Sequence, residues 1–284
     1  MLLSPNAALC AIDVADDLAF VGDVRGGYYG SQQTDQDGSE DSTDQLLGRI
    51  RAGLEWTPTD TVSARMRVAG RYSTHDNHNY FKIFTTIPDT DGLRAGDATI
   101  DRLFVSLRPN PRSEIAIGRL QTCFELAGVS GGSLDRCDSP DTDITWTDGA
   151  HTTYRSDGGW NWHLIVQRNL QAGATNVRLP PLSFADDDSR ISYFGAVESN
   201  EAYGPIVQRA FDVSYLPSSL ATEGSASGPV EDYIAFVGRL AAQWPLGRTG
   251  TRLLAGTELG YAPNTPTKAA VGTGTTGDTG GLAW

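Results

Sequence analysis

Arg25, Arg49, Arg51, Arg65, Arg67 and Arg71 fall at alternating positions in segments whose intervening positions are mostly apolar or small. Arg102 and Arg119 extend the set in the next two such segments. A guanidinium is permanently charged and presents a planar fork of N–H donors, which suits carboxylates and other anions. Neighbouring cations repel unless they are hydrated or paired, so a water-lined wall is expected rather than a packed core. The chemistry of such a wall is electrostatic selection, because a ring or row of fixed charges sorts ions without making bonds. On the outside of a soluble sheet the same row would be only a solvated face.

The elements that must position these arginines are strands. Leu46, Gly48, Ile50, Ala52, Leu54 and Trp56 alternate with Leu47, Arg49, Arg51, Gly53 and Glu55. After Pro58 and Asp60, Val62, Ala64, Met66, Val68, Gly70 and Tyr72 alternate with a row containing Arg65, Arg67 and Arg71. Successive strand side chains point to opposite faces, so this spacing separates an apolar row from a basic one, which a helix would mix. Each segment is about ten residues or longer, the length that a tilted strand needs to cross a hydrocarbon core. Trp56 and Tyr72 end their apolar rows, where an amphipathic ring suits a membrane interface.

The same pattern predicts strands over 19–29, 46–56, 61–73, 99–108, 114–122, 144–154, 160–169, 190–198, 207–216, 233–244 and 252–261. Long polar links are predicted over 30–45, 74–97 and 123–143, separated by tight turns near Pro58 and Pro109. Long and short links that alternate are the rhythm of a membrane barrel, with short turns at one rim and long loops at the other. The fold expected is therefore all-β, an antiparallel transmembrane β-barrel domain over 19–261.

The 284 residues include 32 glycines and two methionines, and the formal net charge is −13 from 35 acidic and 22 basic side chains. That balance argues against nucleic acid as a partner. A mean hydropathy of −0.30 rules out a helical membrane span but not a barrel, whose strands expose only alternate residues to lipid. Residues 1–11 read as the remnant of a secretion signal, without the basic start of a complete one, or as a disordered start. The Gly- and Thr-rich tail 262–284 offers no convincing closing strand. About eleven strands is an odd total for a bacterial barrel, so a truncated chain is expected.

Arg49 to Trp56, Thr99 to Arg102, Ile117 to Gln121, Trp146 to Gly149 and Ser189 to Tyr193 together resemble the bacterial outer-membrane porin family of β-barrel proteins. The resemblance implies a barrel of about sixteen strands, of which about five would be missing. It also implies a Gram-negative outer-membrane location, lipid around the barrel, and a water-filled channel for passive diffusion of small hydrophilic solutes or ions. A homotrimer is common in such proteins, and the arginine row would make the channel prefer anions unless the loop acids cancel it. By analogy the link 123–143 would fold inward to narrow the channel, placing Glu125, Asp135, Asp138, Asp141 and Asp143 opposite the arginines. Cys123 and Cys137 either close that loop as a disulfide, which the periplasm permits, or remain two thiols.

Other chemistry has less behind it. His75, Asp76, Asn77 and His78 lack a third ligand for a metal, and Asp89, Asp91 and Asp97, or Asp186 to Asp188, lack the spacing of a calcium loop. No nucleophile elbow, phosphate loop or triad is present, so neither an enzyme nor a cofactor is expected. The alternative is a secreted soluble β-sandwich or carbohydrate-binding module in which Trp160 and Trp162 form a ligand platform.

Overall fold

The structure, a computed structural model, describes residues 8–34, 38, 40–74, 82–83, 97–122, 124–127, 146–170, 189–217, 232–247, 250–263 and 281–283. Its strands are β1 (Ala8–Ala15), β2 (Leu18–Thr34), β3 (Glu40–Thr59), β4 (Val62–Ser73), β5 (Lys82–Ile83), β6 (Asp97–Asn110) and β7 (Ser113–Gln121). They continue as β8 (Trp146–Arg155), β9 (Asn161–Leu170), β10 (Ser189–Ser199), β11 (Ile206–Leu216), β12 (Tyr233–Leu246), β13 (Thr251–Ala262) and β14 (Gly281–Ala283). All lie in one sheet, in chain order and antiparallel, except the two-residue β5, which pairs parallel with the start of β6. The sheet is a meander whose edges are β1 and β14.

All eleven predicted strands are present. The period-two pattern also assigns the faces correctly. On β3, Leu46, Ile50, Leu54 and Trp56 are exposed, while Leu47 and Arg49 are buried and Arg51 and Glu55 half-buried. β12 repeats this, with Ala235, Val237, Arg239 and Ala241 buried and Leu240 and Trp244 exposed. The polarity is the reverse of a water-soluble sheet: charged side chains are sheltered and apolar ones face out.

The sheltered face is concave, since side chains from strands that are not neighbours meet on it. Arg51 of β3 donates to Gln121 of β7 at 3.2 Å, with β4 and β6 between them. Three strand spacings amount to about 14 Å on a flat sheet, so the two side chains must converge over a curved one.

Short turns gather at one rim. Backbone hydrogen bonds stitch neighbouring hairpins there: Thr57 N to Asp17 O at 2.7 Å, Arg108 N to Thr61 O at 2.8 Å, Arg155 N to Arg112 O at 2.8 Å, and Gln243 N to Pro205 O at 2.7 Å. The strand ends joined by the longer links alternate with these turns and lie at the opposite rim.

Three expectations change. Ala8–Ala15, whose first four residues are the end of the expected signal remnant 1–11, forms β1 against β2 from Ala8↔Val24 to Ala15↔Leu18, and residues 1–7 lie outside the described residues. The expected loop 30–45 is instead a projecting hairpin, paired from Gly30↔Asp44 out to Thr34↔Glu40. Backbone pairing does not read side-chain polarity, so a hairpin without an apolar row gives no period to detect. The link 74–97 contains β5, and β6 begins at Asp97.

Two irregularities turn extra side chains inward. A bulge between β4 and β6 pairs Arg67 with Arg102 but Val68 with Ile100, leaving Asp101 as the extra residue. In β7, Ile117 is exposed, yet Arg119 two residues later is buried. Between them Gly118 adopts φ +129° and pairs with Gly149 of β8. A Cβ at Gly118 would lie 2.2 Å from Leu103 O, and one at Gly149 2.0 Å from Val166 O. Gly118→Ala is therefore expected to cost about 2 kcal/mol or more in urea unfolding. Gly238→Ala, whose Cβ meets nothing within 4 Å, should stay within about 0.5 kcal/mol of the parent.

Candidate functional site

The candidate site is the polar network on the concave face. Its arginines stand in cross-strand rows. Arg25, Arg49 and Arg71 are direct partners across β2, β3 and β4, and one level nearer the short turns Asp23 stands beside Arg51. Further along, Gly53, Arg67 and Arg102 form a row across β3, β4 and β6, followed by Glu55, Arg65 and Phe104. Like charges directly opposite one another are destabilising unless carboxylates or water intervene.

Carboxylates do intervene. Asp23 accepts from Arg49 Nη2 through one oxygen and from Arg51 Nε through the other, both at 2.6 Å. Asp101 takes Arg67 as a fork, with Nε at 3.0 Å from both oxygens and Nη2 at 2.5 Å from Oδ2. Arg119 grips Asp148 through Nε at 2.6 Å and Nη2 at 2.7 Å, and its Nη1 donates to Ile100 O at 3.1 Å. Gln121 Oε1 accepts from Arg51 and Arg67 together, tying β3 and β4 to β7. Arg65 bonds Glu55, and Arg108 bonds Glu114 at 2.9 Å. Such charge-assisted forks are the strong class of hydrogen bond and fix guanidinium planes as well as charge.

All eight predicted arginines are therefore on one face. The wall is not basic alone, because a carboxylate lattice is woven through it. Gly53 leaves room for that lattice: a Cβ there would fall 2.2 Å from Met66 O and 2.9 Å from Arg67 Cβ. Arg102 differs from the rest, with no ion pair or hydrogen bond among the described residues and with Arg67 across from it.

The opposite half of the concavity, β8 to β13, is built differently. Arg239 bonds Asp212, both nearly inaccessible, and Glu258 pairs in register with Arg239. His151, His163, Thr153, Gln167 and Glu198 complete that wall.

The chain after β7 crosses the concavity to reach this wall. Arg239 Nη1 donates to Phe124 O at 2.9 Å. The Gln208 amide clasps the segment from both sides, with Nε2 to Glu125 O at 2.8 Å and Oε1 accepting from Ala127 N at 2.7 Å. Phe124 packs with Ile165, Phe194 and Ala196 in an apolar cluster of buried residues, and Leu126 lies over Gly256 of β13. This is the beginning of the predicted inward link. Glu125 is exposed, whereas Cys123, Asp135, Asp138, Cys137, Asp141 and Asp143 lie outside the described residues. So do His75 to His78, Asp89, Asp91 and Asp186 to Asp188.

The Trp160–Trp162 platform does not form. Trp162 faces out from β9, while the Trp160 ring lies 4.8 Å beneath the Arg209 guanidinium in the turn.

Asp101, Asp148, Asp212, Arg239, Gln121 and the histidine pair were missed by sequence reasoning. Asp101 and Asp148 belong to the wrong parity of their strands and come inward only through the bulge and the glycine pair. Asp212 and Arg239 had a usable signal, since each sits at an alternate position among residues of a predicted strand.

No family model matches the chain, and no curated protein matches it either.

Removing Asp101 would strand Arg67, whose side chain is 11% exposed. Asp101→Ala is expected to destabilise the protein by about 3 kcal/mol, as loss of one partner of a buried pair does, whereas Arg67→Met/Asp101→Leu should cost clearly less. Urea unfolding of the three proteins under the same conditions checks the order.

Proposed function

We propose that this chain forms the wall of an outer-membrane porin, a water-filled channel for passive diffusion of small hydrophilic solutes or ions with a preference for anions. The observation that carries the reading is the inverted polarity of the sheet. Ile50 at 51% exposure and Leu54 at 46% flank Arg49 and Arg67 at 1% and 9% on the two faces of one hairpin. In water this arrangement would waste its apolar surface. In lipid it is the favoured one, because an arginine turned out to the bilayer midplane of a barrel costs about 2–4 kcal/mol.

The outer face also has the layout of a membrane band. Trp56, Tyr154, Trp162, Tyr203 and Trp244 lie toward the short-turn rim, and Tyr28, Tyr193, Tyr215 and Tyr261 toward the other. Their polar tips find partners at the rims: Trp56 Nε1 donates to Asp17 at 2.8 Å, Tyr28 OH to Asp44 at 2.6 Å and Tyr215 OH to Asp232 at 2.7 Å. Trp56 and the residue opposite Tyr28, Leu46, are ten residues apart on β3, and Trp244 and the partner of Tyr215, Ile234, are ten apart on β12. Ten residues rise about 33 Å along a strand, which a tilt near 40° reduces to about the 25 Å of a barrel's apolar band.

Selectivity follows from the inner wall. Among the described residues the arginines of β2 to β7 outnumber the carboxylates that the same strands turn inward, Asp23, Glu55, Asp101 and Glu114. Facing them across the gap are Glu198, Asp212 and Glu258. A field across the channel is the consequence, and the segment from Phe124 to Ala127 narrows the space in which it acts.

Purified protein reconstituted in a planar bilayer should give stable ohmic steps, with a reversal potential of anion-selective sign under a salt gradient. Arg65→Gln/Arg102→Gln should move that potential toward the cation side. Silence from folded, inserted protein, or a potential unmoved by the double substitution, would contradict the channel or the wall respectively.

A further inference from the structure

The histidine pair on the β8–β9 hairpin has no part in an arginine wall. His151 Nε2 and His163 Nδ1 lie 3.0 Å apart, and Thr153 Oγ1 is 3.3 Å from the first and 3.5 Å from the second. Three donor atoms on alternate inward positions thus form a small triangle. The point equidistant from these three corners is about 1.9 Å from each, and an ion slightly out of plane would be about 2.1 Å from all, the length of a zinc–imidazole bond.

The surroundings fit a bound ion. His163 Nε2 is buried and has no hydrogen bond among the described residues, but it points toward Glu198 Oε1 at 3.4 Å. A carboxylate behind the non-ligating nitrogen is the arrangement that fixes the tautomer of a metal-bound histidine. With Nε2 protonated toward Glu198, Nδ1 is left as a free lone pair facing His151 and Thr153. His151 needs only its Nδ1–H tautomer to present Nε2 to the same point, so no charged imidazole is involved.

One side of the pair is closed by Phe124, whose ring stands edge-on to His163 at 5.2 Å. The other side opens into a cavity of about 790 Å³ at the short-turn rim, lined by Arg108, Glu114, His151, Thr153, Arg155 and Asn161 among others. An ion would enter there and complete its coordination with water. Among the described residues no group of three or more His, Cys, Asp or Glu surrounds one point, so the third protein donor is the Thr153 hydroxyl.

We propose that His151, His163 and Thr153 form a binding site on the concave face for a divalent transition-metal ion of the zinc, nickel and copper group, with Glu198 as the positioning residue behind His163. Imidazole donors favour these ions over calcium or magnesium, which take oxygen ligands. The site needs the folded hairpin and not an open channel, so it stands or falls independently of the porin reading.

Isothermal titration of Zn²⁺ into the folded full chain in detergent micelles tests it. One ion per chain is expected, with Glu198→Gln weakening binding about tenfold or more and His151→Gln or His163→Gln abolishing it. Cu²⁺ electron paramagnetic resonance should display nitrogen hyperfine structure from two imidazoles. The chain's other two histidines, His75 and His78, serve as the control: His75→Ser/His78→Ser should leave both signals intact. Loss of binding in that control, its persistence in both substitutions at the hairpin, or no binding to the parent protein with its β-sheet circular dichroism intact would each overturn the proposal.

Discussion

Pairing between guanidinium and carboxylate on one face of a single sheet is the interaction on which the rest of this structure depends. Asp23 holds Arg49 and Arg51, Asp101 holds Arg67, and Asp148 holds Arg119. Without these acids the cross-strand row Arg25–Arg49–Arg71 would push its own ladder apart. With them the face can concentrate charge at high density and remain folded. The apolar residues have then only the other face to occupy, which is why the sheet is inside-out relative to a soluble protein.

Local backbone irregularity serves that pairing. A regular β6 would send Asp101 to the face opposite Arg102, and a regular β7 would send Arg119 to the face of Ile117. The bulge at Asp101 and the Gly118–Gly149 contact bring both groups inward within a few residues of each other along the sheet. Gln121 then links the result to Arg51 and Arg67. Across the concavity, Arg239 is shared between Asp212 and the carbonyl of Phe124, so the wall that carries few cations is also the one that receives the crossing segment. The two walls thus differ in charge and in filling, as the field across the proposed channel requires.

Most of the strand layout was legible in the sequence because alternation is a strong signal where one face is apolar throughout. Leu46 to Trp56 and Ile234 to Trp244 could be assigned to faces without any knowledge of their neighbours. β1 was not legible, since apolar residues stand on both of its faces, Ile12 and Val14 on one and Leu9 and Ala11 on the other, nor was the outer half of the β2–β3 hairpin, whose residues are polar on both. The arginines were legible as a set, but their partners were not. Pairing across strands depends on register and bulges, which arise from contacts between distant segments and leave no mark within a single strand. His151 and His163 illustrate the same limit from the other side: they lie twelve residues apart, and only the length of the turn between β8 and β9 makes them diagonal neighbours.

The proposed channel requires the apolar face of the sheet to meet hydrocarbon, and site-directed spin labelling along β3 measures that directly. Single cysteines introduced in turn at positions 46 to 56, in a protein with its native cysteines replaced, would carry a nitroxide in liposomes. Collision rates with oxygen and with a water-soluble nickel chelate would then be compared. Oxygen accessibility should peak at the even positions of Leu46, Ile50 and Leu54, with the chelate favouring the odd positions of Arg49, Arg51 and Glu55. Chelate access at the even positions, or no two-residue period at all, would contradict the inverted sheet as a membrane wall.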